Sequence, residues 1–257
     1  MLERLYLLHY VTRDKQSTRQ KTAFDAALRS LLLLLCLCAF GLSACGRNTS
    51  SVPTQGAQQA GQSADLTYVA LGASDTFGTG TEDPYTQNWP TDLVGLLKQH
   101  VHLINLGIPG ITLHDALTSE LPIALDAHPA LVTVWLAVND LATQVPVADY
   151  THDLNTLLSR LQTAAPHARI AVGNVPDLTS VPFFYGVNPV ELRAQITTYN
   201  AAIAGVVRKH HVLLVDLSAQ GYNLQTHPEY ISSDGLHPNS LGYDKLAELF
   251  YQALRAA

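Results

Sequence analysis

Leu66-Thr-Tyr-Val-Ala-Leu-Gly72-Ala73-Ser74-Asp75-Thr-Phe77 is the stretch that decides the fold. Its first half is apolar and β-branched over the length of one strand. It stops at a Gly-Ala-Ser-Asp turn, which puts a serine hydroxyl at the carboxyl end of that strand. In an open parallel sheet, ligands bind along that edge. Taken alone, a serine there also serves as a helix N-cap or a turn residue. Three later stretches share its polar, turn-forming character: Asn105-Leu-Gly-Ile-Pro-Gly110, Ala137-Val-Asn139-Asp140 and Asp234-Gly-Leu-His237-Pro238.

From Leu66 onward, strand-like and helix-like patterns alternate, which is the signature of a parallel α/β sheet. Residues 101–107 read as the second strand, 130–138 as an almost continuously apolar central strand, 168–175 as the fourth and 212–217 as the fifth. Asn88 caps a helix over 89–100, with Pro90 in its first turn. Residues 112–127 read as a helix that Pro122 should kink or end. The span 147–165 carries Tyr150, Leu154, Leu157, Leu158 and Leu161 at helical spacing, and 188–210 and 239–256 are long helices. Between them lies a partly apolar loop, 176–186. Its Leu178, Val181, Phe183, Phe184 and Tyr185 make either a wall for an acyl chain or a loop packed on the sheet edge. Five parallel strands with helices on both faces predict an α/β fold, a three-layer α/β/α sandwich of flavodoxin-like form. Its site loops follow strands one, two and three and precede the last helix, and the four polar stretches fall at those places.

The amino end has a different character. Arg29 precedes an apolar run that ends in Leu42-Ser43-Ala44-Cys45, too short for a membrane span of about 20 residues but fitting the core of a signal peptide. Those last four positions resemble the lipobox of bacterial lipoproteins, in which the cysteine is lipidated and becomes the first mature residue. Residues 1–45 are therefore expected to be a signal ending at the lipidation site Cys45, with a plain secretory signal or an uncleaved anchor as alternatives. Residues 46–65, rich in Ser, Gln and Gly, are expected to be a flexible tether, and 66–257 the folded domain. Loss of residues 1–44 removes six of 15 basic and three of 21 acidic side chains, leaving a formal net charge of −9. That balance argues against nucleic acid as a partner and leaves a lipid on Cys45 as the means of membrane attachment, outside the cytoplasm. Cys36 and Cys38 lie within the signal, so the folded domain has neither a disulfide nor a cysteine metal site.

A serine hydroxyl is a weak nucleophile at neutral pH and needs a base within hydrogen-bond reach, with a third group to hold the base's tautomer. His237 is the candidate base. Asp234, three residues earlier in a turn shaped by Gly235 and Pro238, can reach back to its Nδ1 and leave Nε2 facing Ser74. The plain alternative makes Asp234 a turn former and His237 a surface residue. Among the eleven histidines, His227-Pro228 shares the local proline but has Leu224 where the carboxylate should be. His100, His210 and His211 fall near helix ends, where a cation suits the dipole. Donors for an oxyanion are available from the Asn139 amide and from the backbone N–H groups of Gly110 and Ser74, although Asn139-Asp140 also suits an ordinary turn. Asn105 and Gly107 are expected to shape their loop rather than to touch substrate.

Together these stretches resemble the SGNH hydrolases, the GDSL family of esterases and lipases. Gly72-Ala73-Ser74-Asp75 is similar to that family's nucleophile block, Gly110 to its second block, Asn139 to its third and Asp234-x-x-His237 to its last, in the same order over residues 66–257. Ala73 stands where the family has Asp, and Ala137 where it has Gly, and neither change removes a catalytic atom. The resemblance implies a serine esterase with no cofactor and no metal, acting on small-molecule, lipid or carbohydrate esters. Ser74 would be the nucleophile, His237 the proton carrier and Asp234 its orienter, with Ser74, Gly110 and Asn139 as the oxyanion hole. The alternative is a catalytically silent lipoprotein of the same fold that binds a carbohydrate or a lipid.

Overall fold

The computed structural model describes residues 66–219 and 222–256. The signal, Cys45 and the tether lie outside the described residues. Five parallel strands, β1 (Leu66–Gly72), β2 (Val101–Asn105), β3 (Leu131–Trp135), β4 (Arg169–Gly173) and β5 (Leu213–Val215), form one sheet in the order β2-β1-β3-β4-β5. This is the flavodoxin-like order, with the chain reversing direction of build on either side of β1. All five residues of β3 are buried, so the middle of the sheet is covered on both faces, as its unbroken apolar run requires.

The register places Gly72, at the carboxyl end of β1, beside Trp135 at the end of β3. Leu66 pairs with Val101 at the other end of β1. At about 3.3 Å per residue, β1 separates the point where the chain enters the sheet from the Ser74 edge by roughly 20 Å.

The helices are α1 (Ser74–Phe77), α2 (Trp89–Leu97), α3 (Leu113–Ser119), α4 (Leu121–Asp126), α5 (Val138–Ala142), α6 (Val147–Ala164), α7 (Pro189–His210) and α8 (Ser240–Arg255). Asn88 caps α2 by accepting the Thr91 N–H at 3.0 Å, and Asn239 caps α8 by accepting the Gly242 N–H at 3.1 Å. One pair, α2 and α8, packs together, with Trp89 stacked on Phe250 at 4.2 Å and edge-on to Trp135 at 6.4 Å. The other group, α3, α4, α6 and α7, packs around α6, whose Tyr150, Leu154, Leu157, Leu158 and Leu161 are all buried.

The break expected at Pro122 is present, and the central strand is shorter than expected. The helix anticipated over 112–127 is two helices joined at Glu120. Pro122, second residue of α4, has no N–H to donate back into α3, so the ladder breaks ahead of it. The central strand ends at Trp135 rather than at Val138, because Val138 begins α5. An apolar run continues through both, so hydropathy alone does not mark the change.

Candidate active site

The β1 run ends in the short helix α1, with Ser74 as its first residue, nearly buried at 9% exposure. The Ser74 carbonyl accepts the N–H groups of Gly78 and Thr79, both at 3.0 Å, which closes the turn under the hydroxyl. From the far end of the chain, the loop ahead of α8 brings His237 over it. Ser74 Oγ and His237 Nε2 are 2.9 Å apart, and His237 Nδ1 is 2.7 Å from Asp234 Oδ2. The three residues singled out in the sequence thus stand in one hydrogen-bonded row.

The row is held from both ends. Asp234 Oδ1 accepts the backbone N–H groups of Leu236, at 2.8 Å, and His237, at 2.9 Å. Burial alone would raise its carboxyl, but the Leu236 N–H, the His237 ring, the His237 N–H and the Ser232 hydroxyl outweigh it and hold the group down at about 2. The imidazole therefore faces an anion at neutral and mildly acidic pH. On the other side, Gly80 lies against the base: a Cβ built there would come within 2.4 Å of the Pro238 carbonyl and 3.0 Å of His237 Cβ. Tyr243, buried in α8, donates its hydroxyl to the Thr79 carbonyl at 2.6 Å and pins the same loop.

Asn105 and Gly107 shape their loop as expected. Asn105 Nδ2 donates to the Thr76 carbonyl at 2.7 Å, and Asn105 Oδ1 accepts the Gly107 N–H at 3.0 Å. Gly107 is pressed onto the backbone of α1, with Phe77 N only 2.4 Å from where a Cβ would sit. The loop leading to Gly110 is therefore packed directly against the serine helix.

Asn139 and Asp140, adjacent in sequence, do different work. Asn139 Nδ2 donates one hydrogen to the Ile111 carbonyl at 2.8 Å, which fixes the amide and leaves its second N–H. Asp140 is buried and turned away, its two carboxylate oxygens 3.2 and 3.1 Å from the Leu113 N–H at the start of α3. Burial pushes its carboxyl up to about 6, although the Leu113 N–H favours the charged form. Asp140 thus joins the end of β3 to the helix after Gly110. Its role was not visible in the sequence, where a turn residue and a buried helix cap look alike.

Beside Ser74 lies a small cavity of about 40 Å³, walled by Trp135, Val138, Leu178, Val181, Leu224 and Leu236 and reached by Asn139 and His237. Gly110 is not part of that wall and is exposed on its loop. The apolar loop 176–186 divides: Leu178 and Val181 face the cavity, Phe184 is buried, and Phe183 and Tyr185 are 61% and 69% exposed. Asp75, next to the serine and half-buried, is pushed up to about 6 by burial, with the His237 charge pulling it down and Asp234 pushing it up.

Two histidine expectations change. His227 does have a carboxylate, supplied by Glu229 two residues later at 2.9 Å, and its ring stacks on Tyr230 at 4.9 Å, apart from the Ser74–His237 pair. His210 is not favoured as a cation: its ring bonds Gln162 at 2.9 Å and Asn155 at 3.1 Å, and burial followed by Lys209 and His211 depresses its pKa.

A serine, an imidazole and a carboxylate aligned at the carboxyl edge of a flavodoxin-like sheet, with an asparagine from the short helix after the neighbouring strand β3, define the SGNH class of α/β proteins. Residues 70–245 match the model of the GDSL-like lipase/acylhydrolase family, and the chain belongs to that family. It is accordingly a carboxylic ester hydrolase. It is similar to an arylesterase of Vibrio mimicus, 26% identical over 187 residues that cover 70% of this chain and 84% of that one. Among solved structures it resembles a family 3 carbohydrate esterase of Clostridium thermocellum, at 22% identity and a TM-score of 0.60, covering 75% of this chain and 96% of that one. It also resembles the psychrotrophic esterase EstA of Pseudoalteromonas sp., at 19% identity and a TM-score of 0.59, covering 75% of this chain and 98% of that one.

Proposed function

We propose that this protein is a serine esterase that hydrolyses short acyl esters through a covalent acyl-enzyme on Ser74. The observation that carries the reading is the 2.9 Å approach of His237 Nε2 to Ser74 Oγ, with Asp234 at 2.7 Å behind the ring. Ser74 Oγ attacks the ester carbonyl while its proton passes to His237 Nε2, and the resulting imidazolium faces the Asp234 anion. The second N–H of Asn139 and the backbone N–H groups of Gly110 and Ser74 receive the oxyanion. Each such donor typically lowers the barrier by about 2.7–4 kcal/mol. His237 then returns the proton to the departing alcohol. Water, deprotonated by the same nitrogen, attacks the acyl carbonyl and releases the acid and the serine.

The size of the acyl group follows from the cavity. About 40 Å³ between Trp135, Val138, Leu178 and Val181 holds a few atoms and not a fatty chain. Seating a longer chain among these side chains requires displacing them, at a cost of about 1–3 kcal/mol, which corresponds to roughly a tenfold loss or more. On a p-nitrophenyl ester series from acetate to palmitate, kcat/KM is expected to be highest at acetate or butyrate and to fall about tenfold or more by octanoate. A profile that rises toward palmitate would replace this reading with a lipase.

We also propose that the enzyme is a lipoprotein held at the outer side of a bacterial membrane by a lipid on Cys45, with residues 46–65 as its tether. The support is sequence alone: the basic-flanked apolar run and Leu42-Ser43-Ala44-Cys45. Grown with an alkynyl fatty acid, a bacterial host is expected to label the full chain and recover it in the membrane fraction, and Cys45→Ala is expected to lose both. Membrane recovery of the unlabelled alanine variant would overturn the lipid anchor.

A further inference from the structure

The joint between α3 and α4 carries a residue that the reaction sequence above does not use. Glu120 is fully buried, and its Oε2 accepts the backbone N–H of Gly72 at 3.2 Å, two residues ahead of Ser74. The N–H of Ile108, two residues ahead of Gly110, donates to the Gly72 carbonyl at 3.1 Å and also lies close enough to favour the Glu120 anion. One carboxyl therefore meets both backbone segments that lead into the site. Its second oxygen, Oε1, is buried with no hydrogen-bond partner.

We propose that Glu120 is a positioning residue for ester hydrolysis, a buried carboxyl that clamps the turn carrying Ser74 to the loop carrying Gly110. The proposal rests on the reading of Ser74 as the nucleophile. Burial favours the uncharged form of a carboxyl in this place. Among the described residues no charged side chain offsets the cost of burying its anion, and that cost pushes its pKa up to about 9 against the Gly72 and Ile108 hydrogen bonds. On the wall of the cavity outside it, Tyr85 is the other ionisable group, and Asp115 on α3 is occupied by the Thr112 hydroxyl at 2.8 Å. Oε1, which accepts nothing, is the oxygen left to carry the proton. As pH rises through about 9, the acid ionises and the anion is drawn toward water. The clamp then releases the two backbone segments, and the serine and its oxyanion donors lose their alignment.

The test is the pH dependence of kcat on a simple alkyl acetate, followed by base uptake, for the full chain and its Glu120→Gln, Glu120→Leu and Ser74→Ala variants. The wild type is expected to lose kcat above pH 9 by about tenfold per unit, with KM changed less than about twofold. Glu120→Leu should lose about 10²-fold in kcat at every pH, as misplacement of reacting groups by about 1 Å does. Glu120→Gln keeps the carbonyl acceptor and cannot ionise, so it should restore most of that loss and abolish the alkaline limb. The same alkaline limb in Glu120→Gln would overturn the proposal, and so would wild-type kcat in a folded Glu120→Leu. If Glu120→Leu does not fold, the Glu120→Gln profile decides. Unimpaired turnover by Ser74→Ala would overturn the nucleophile and the clamp together, whereas a Ser74-dependent reaction indifferent to Glu120 would overturn the clamp alone.

Discussion

Ser74→Ala is expected to lower kcat on p-nitrophenyl acetate by about 10⁵- to 10⁶-fold, the scale on which removal of a serine nucleophile acts in triad enzymes. The loss is chemical rather than structural. Ser74 is nearly buried, but its hydroxyl meets His237 alone among the described side-chain hydrogen bonds, and the turn beneath it is closed by backbone groups. Deleting that bond costs about 1 kcal/mol of stability, so the melting temperature should move by only a few degrees. The residual activity would be that of the remaining oxyanion donors and bound substrate. Turnover above about 1% of the wild type in a folded variant would exclude the acyl-enzyme on Ser74.

Asp234→Asn should cost about 10⁴-fold in kcat while leaving the loop in place. The substituted amide would keep an oxygen for the Leu236 and His237 N–H groups, which Oδ1 now accepts. Its nitrogen would then face His237 Nδ1 and donate to it, forcing the ring's own proton onto Nε2. A protonated Nε2 cannot take the proton of Ser74. With the native carboxyl at about 2, its stabilising effect is present above the ordinary value of 3.8 and is lost as pH falls toward 2, so it stays charged through neutral and mildly acidic pH. Its side chain is 41% exposed, so solvent mutes that contribution. A loss of less than about tenfold in the amide variant would show that Asp234 is a turn former and not the group that selects the tautomer.

Much of this site was legible because each part sits at a place where the hydropathy pattern breaks. Ser74, Asn139 and the Asp234–His237 pair interrupt apolar runs with polar residues at the ends of elements, and parallel topology collects such ends on one edge. Asn88 was legible as a cap for the same local reason. Glu120 was not, since an acid inside a helical pattern reads as a solvated face until the sheet is seen to cover it. Asp140 was hidden by its neighbour, because two consecutive polar residues give no sign that one faces the cavity and the other the core. The end of β3 was blurred by an apolar stretch that runs from strand into helix. His227 lacks a carboxylate three residues before it, as read, but Glu229 reaches it from two residues after. Sequence spacing sets which partners are possible, and chain direction in the turn sets which one arrives.

The roughly 20 Å that β1 puts between Leu66 and the serine edge also has a practical side. A bead, a chip or a fused carrier coupled ahead of Leu66 grips the domain by the end of the sheet remote from its chemistry. Dissolved esters then approach the mouth from the open side without threading between enzyme and support. Coupling through the carboxyl terminus is similarly remote, because α8 runs back from the loop beside His237 and its Leu254 carbonyl accepts the Arg169 guanidinium at the start of β4. For an immobilised reactor, either end of the domain is therefore a usable handle.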